Sequence, residues 1–122
     1  MTIATQVPPK TVYLSKNPGG QCKAHSNKEF VPPDCEVQFW GLGTAACVRF
    51  EAGQWPFVGI SEQEIEVPKD GKWGPYQVKP AKAAGHFNYK FECMSCSDWT
   101  KAEEKAGTDI PGPGGGKIII DP

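Results

Sequence analysis

His86-Phe-Asn-Tyr-Lys-Phe-Glu-Cys-Met-Ser-Cys96 is the stretch whose reading decides the fold. Phe87, Tyr89, Phe91 and Cys93 alternate with His86, Asn88, Lys90 and Glu92. A period of two with one apolar face marks a half-buried strand. Gly85 opens it and a Cys-x-x-Cys turn closes it. It carries the densest aromatic content of the chain and two of the five cysteines, so its rim is the first place to look for a site.

The other segments fit the same architecture. Thr11–Ser15 reads as a first strand after a loose lead-in over 1–10. Residues 16–34 form a long connection rich in Gly, Asn, Ser and Pro, and a loop of that length is usually functional or pinned by something. Cys35–Gly41 and Ala46–Phe50 are strands joined at Gly41-Leu-Gly43, predicted to pair as a hairpin, with Ala46, Val48 and Phe50 facing in. Glu62–Val67 alternates, with Ile65 and Val67 inward, and Pro68-Lys-Asp-Gly71 is a turn by its chemistry. Tyr76 and Val78 belong to another short strand. One short helix is predicted near 98–106, with capping-box spacing at Thr100-Lys-Ala-Glu103 and Gly107 as terminator. Ile110–Gly116 reads as a Pro/Gly loop and Lys117–Ile120 as the last strand. The sum is an all-β chain, a single antiparallel β-sandwich domain over 1–122 with Greek-key character.

Composition narrows the function. A hydrophobic content of 39% and a net charge of −1 suit a globular domain rather than a disordered one. Fourteen glycines and twelve prolines favour short strands over long helices. Arg49 is the only arginine and no basic run occurs, so a nucleic-acid partner is not expected. No apolar run approaches the roughly 20 residues that cross a bilayer, so no membrane role is expected. The N-terminus lacks the charged and apolar regions of a signal peptide. The expected compartment is therefore the cytoplasm, or the exterior if a leader is removed. In a reducing compartment the plain reading of the five cysteines is buried thiols.

Three segments resemble the cupredoxin-like β-sandwich. They are the hairpin entry Val37-Gln-Phe-Trp40, the stretch Ile65-Glu-Val-Pro-Lys-Asp-Gly-Lys-Trp-Gly-Pro-Tyr76, and Gly85-His-Phe-Asn-Tyr-Lys-Phe-Glu-Cys93. The last is similar to that family's approach to its copper cysteine. With the final strand the likeness covers roughly residues 35–120, and immunoglobulin-like sandwiches share much of it. A type 1 copper site needs two His and a Cys thiolate. Cys96 stands where the family has a His after its Cys, Ala46 occupies the other His position, and no His follows His86. The resemblance therefore implies a copper-free relative of the kind found among small bacterial proteins.

Three constellations carry possible chemistry. Cys93-Met-Ser-Cys96 has the spacing of a redox disulfide, although it follows a strand outside any βαβ unit and precedes the predicted helix by four residues. Cys22-Lys-Ala-His25 together with Cys93 and Cys96 supplies four ligands for tetrahedral zinc, against free thiols or a Cys22–Cys35 bridge. Trp40, Trp55, Phe57 and Trp73 form either an interaction patch or caps over the ends of the sandwich. His25 and His86 are candidate acid/base groups, although His86, on the polar face of its strand, reads more simply as a solvated side chain. The expected function is a non-catalytic binding or assembly module, acting on a protein partner or by self-association. The alternatives are a small thiolate zinc protein and, third, a thiol–disulfide redox protein.

Overall fold

A computed structural model describes residues 8–80, 83–106 and 114–120. Among these residues, nine strands and one helix follow in the order β1 (Lys10–Lys16), β2 (Cys22–Ala24), β3 (Lys28–Val31), β4 (Glu36–Leu42), β5 (Ala46–Phe50), β6 (Glu64–Val67), β7 (Lys72–Gln77), β8 (Gly85–Glu92), α1 (Cys96–Ala106) and β9 (Gly114–Ile120). They build two sheets, β2-β1-β4-β7 and β3-β9-β8-β5-β6. The all-β sandwich-like class is as expected.

The alternation read from the sequence places the core. Val12 and Leu14 of β1, Val37 and Phe39 of β4, Val48 and Phe50 of β5, Ile65 and Val67 of β6, and Phe87, Tyr89 and Phe91 of β8 are all buried in one cluster. Tyr89 meets Phe39 across the two sheets edge-on, at a centroid distance of 5.7 Å. Burying each such side chain stabilises the fold by roughly 1.5–3 kcal/mol.

Four features depart from the sequence expectation. The sheets are mixed, because β1 runs parallel to β4 and β3 parallel to β9. β4 and β5 are not a hairpin. β4 pairs with β1 and β7, whereas β5 pairs with β6 and β8, so the turn over residues 43–45 carries the chain from one sheet to the other. Gly41 permits this crossing because a Cβ there would stand 2.9 Å from the Pro68 carbonyl oxygen. The long connection over 16–34 contains two strands, β2 and β3, one in each sheet.

The fourth departure is the glycine run. Gly114–Gly116 is strand, not loop, and pairs residue for residue with Phe91, Lys90 and Tyr89. The Tyr89 and Phe91 rings lie over Gly116 and Gly114, where a Cβ would collide with them. Facing aromatics thus fill the space these glycines leave, the device known to rescue glycine within sheets. The expected loop over Ile110–Pro113, the terminator Gly107 and residues 1–7 of the lead-in lie outside the described residues.

Candidate functional site: the cysteine turn and the two outer sheet faces

The turn after β8 organises both faces of its sheet. Ser95, inside the Cys-x-x-Cys motif, caps the helix. The Asp98 N–H donates to Ser95 Oγ (3.1 Å) and the Trp99 N–H to the Ser95 carbonyl (2.9 Å). The helix therefore begins at Cys96, four residues earlier than the Thr100 capping box suggested. Thr100 Oγ1 instead donates to the Cys96 carbonyl within the helix. The Cys96 N–H donates to both carboxylate oxygens of Glu66 (3.2 Å each), placing a negative charge at the positive end of α1.

The cysteines are paired. Cys22 bonds to Cys93, with Cα atoms 5.2 Å apart, and Cys47 bonds to Cys96, with Cα atoms 4.9 Å apart. Cys35 is the one free thiol. This rearranges the four residues proposed for zinc. Cys22 and Cys93 do meet, so something does pin the long first connection, but their sulfurs are bonded to each other. Cys96 is bonded to Cys47, a partner outside the proposed set. The Cys22–Cys35 bridge is absent. The imidazole Nδ1 of His25 accepts the Tyr13 N–H (2.9 Å), and its ring packs edge-on against Tyr13 at 5.3 Å. A disulfide sulfur offers no thiolate, so Cys22, His25, Cys93 and Cys96 do not form a ligand set in this state. Nor is Cys93 bonded to Cys96, as a redox Cys-x-x-Cys would require.

Cys47 escaped the sequence reading because it points away from the main core on β5. It is nonetheless fully buried, with Cys96 and Trp99 as a second apolar cluster beneath α1. Alternation gives the face of a residue but not what covers that face. Arg49, two residues on, binds the helix to the same sheet. It donates to Glu64 of β6 (2.8 Å), to Glu103 of α1 and to Thr100 Oγ1 (2.9 Å), and its guanidinium lies 4.0 Å from the Trp99 ring centroid. Beside Cys47 on β8 lies Glu92, only 9% exposed. Burial pushes its carboxyl up from the ordinary range, against smaller opposing effects from the Cys93 backbone and Lys16.

The aromatic residues divide. Trp55 (8% exposed) and Phe57 (2%) are core. Trp55 packs on Phe50 at 5.5 Å and on Phe57 at 5.2 Å, and its indole N–H donates to the Ile60 carbonyl (2.7 Å). Trp73 is half-buried against Phe57 at 5.1 Å and Tyr76 at 4.5 Å. These three close the sandwich and do not form an exposed patch, which corrects the interaction reading for them. Trp40 alone lies on the outward face of its sheet, half-buried. Its register partner across the parallel pair is Tyr13, 40% exposed, and the next outward pair is Ser15 with Leu42. His25 adjoins Tyr13, and Gln38 donates through Nε2 to Thr11 Oγ1 (2.8 Å) on the same face. Among the described residues the only helix, α1, packs against β5 and β6 of the other sheet.

Two further features complete the survey. The Tyr89 hydroxyl is buried with no hydrogen-bond partner among the described residues, and burial, with Glu29 second, pushes its pKa well up. A groove of about 360 Å³ runs over the β3/β9/β8 surface, lined by Lys28, Lys90, Lys117, Asn88 and Glu51. No helix of the described residues is long and apolar enough to cross a membrane. No protein-family model matches the chain, and no curated protein matches it in sequence.

Proposed function

We propose that the chain is a non-catalytic assembly module whose contact surface is the outer face of the four-stranded sheet. The observation that carries this reading is the Tyr13–Trp40 pair. These aromatics, Trp40 half-buried and Tyr13 exposed, are side by side in register on a sheet face that α1 leaves open, with Leu42 (44% exposed) beyond them. Contiguous exposed aromatic and aliphatic side chains mark interaction sites. The side chains with the strongest chemistry are engaged in structure: four cysteines in disulfides and the sole arginine in ion pairs.

The two buried disulfides support an oxidising compartment in place of the cytoplasm. They also bear on the likeness to cupredoxins. Cys93 follows β8, where that family places its copper cysteine, and here its sulfur is held by Cys22. In this reading the scaffold is a copper-free relative in which a disulfide occupies the place of the copper thiolate. A thiolate zinc protein is the alternative; it requires reduction of the Cys47–Cys96 disulfide, whose sulfurs lie near a Glu64 carboxylate oxygen.

Sedimentation velocity over a hundredfold range of concentration tests the assembly reading. The expected result is concentration-dependent self-association that a Tyr13→Ser/Trp40→Ser variant lacks. Identical monomeric behaviour of the two proteins would refute it.

A further inference from the structure

We infer that reduction of the Cys47–Cys96 disulfide creates a site for a soft divalent cation such as zinc, with Cys47, Cys96 and Glu64 as its protein ligands. The two sulfurs and a Glu64 carboxylate oxygen lie within 4.8 Å of one another. They come from three different elements, α1, β5 and β6, that the sheet register and the helix cap already hold together. This site shares only Cys96 with the set suggested by spacing, and it does not depend on the assembly reading.

Reduction by a dithiol adds two electrons and two protons to the disulfide. It leaves two thiols, while the dithiol becomes its own disulfide. The metal then displaces the two thiol protons to solvent. Freed sulfurs can part to roughly 3.8 Å, the separation that two thiolates take on one tetrahedral zinc. Glu64 supplies an oxygen and water completes the shell.

The surroundings favour a cation there. Cys47 lies between Glu66 on β6 and Glu92 on β8 in the sheet register, and Glu64 and Glu103 converge on Arg49. Against these four carboxylates stand Arg49, its β8 neighbour Lys90, and Lys16 near Glu92. Cys96 is the first residue of α1, where the helix dipole favours the thiolate. Arg49 is the competing cation for Glu64, so the metal must take one carboxylate oxygen while the guanidinium keeps the other, or keeps Glu103.

The test is cobalt(II) titration of the full chain, fully reduced with a phosphine under anaerobic conditions. One equivalent should bind, with a near-ultraviolet thiolate-to-cobalt charge-transfer band that zinc abolishes. The oxidised protein should show none. Cys47→Ser should weaken binding by a hundredfold or more, and Glu64→Gln by about tenfold, while Cys22→Ser/Cys93→Ser should keep the band. Reduced protein that binds no cobalt, folded or not, overturns the inference. So does a band that survives Cys47→Ser, or one lost from Cys22→Ser/Cys93→Ser while its circular dichroism stays native.

Discussion

Cys93 and Cys96 stand in one four-residue turn yet bond in opposite directions. Cys93 joins Cys22 within the core between the sheets, and Cys96 joins Cys47 on the outer face of the five-stranded sheet. One turn therefore ties β2 to the end of β8 and the helix to β5. The closed segments are long, with sequence separations of 71 and 49. In the chain-entropy picture each link alone lowers the freedom of the unfolded chain by about 4 kcal/mol.

The glycines of β9 are predicted to differ sharply. A Cβ on Gly116 would stand 2.7 Å from the Tyr89 ring, whereas one on Gly115 would meet nothing nearer than a backbone oxygen at 3.9 Å. Gly116→Ala should cost about 1–3 kcal/mol through forced repacking. Gly115→Ala should be neutral or stabilise by about 0.5 kcal/mol. Urea denaturation midpoints of the two variants decide.

Arg49 should not tolerate lysine. Its planar fork serves Glu64, Glu103 and Thr100 at once while stacking on Trp99, and an ammonium on a flexible stem reproduces little of that. Arg49→Lys is expected to lower stability by about 1–2 kcal/mol. The helical component of the far-ultraviolet circular dichroism should fall ahead of global unfolding. Cooperative loss of both signals together at the wild-type midpoint would argue against this anchoring role.

The four aromatics proposed together from sequence should separate by mutation. Trp55→Ala removes a buried ring and its bond to Ile60, and is expected to cost about 3–5 kcal/mol. Trp40→Ala, on the outward face, should cost less than about 1 kcal/mol. Thermal unfolding of the two variants checks the sorting, and equal losses would contradict it.

Glu92 gives a pH signature. Its folded pKa is raised, mainly by burial, so the folded state holds a proton that the unfolded state has already released. Stability contributed there is present below the unfolded pKa and falls as pH rises through the window up to the folded value. Glu92→Gln should remove that slope and be more stable than the wild type at neutral pH. Melting temperatures from pH 4 to 8 should converge at the acid end and diverge above it.

Much of the fold was legible in the chain because alternation is a local property. The inward faces of β1, β4, β6 and β8 follow directly from Val12, Phe39, Ile65 and Tyr89 and their neighbours two residues away. What was not legible depends on partners distant in sequence. Gly114–Gly116 reads as loop until Phe91 and Tyr89 are known to lie opposite. Cys47 reads as outward until α1 is laid over it. The Gly41–Gly43 stretch suits a hairpin by its chemistry, and only the hydrogen bonding of β4 to β1 and β7 makes the turn over residues 43–45 a crossing between sheets. The Cys-x-x-Cys spacing was visible, but a spacing does not say which sulfurs meet. Ser95 as the helix cap was equally present in the sequence, hidden by the better-known pattern at Thr100.

The pairing of the cysteines is the claim on which the fold's stapling and the cation site both rest. The most direct measurement is a disulfide map of unreduced protein, alkylated in denaturant and then cleaved after lysine and arginine. Cyanogen bromide at Met94 then separates Cys93 from Cys96. The account predicts Cys35 as the only alkylated cysteine, one fragment linking Cys22 to Cys93, and one linking Cys47 to Cys96. A Cys93–Cys96 link, or five alkylated cysteines, would contradict it.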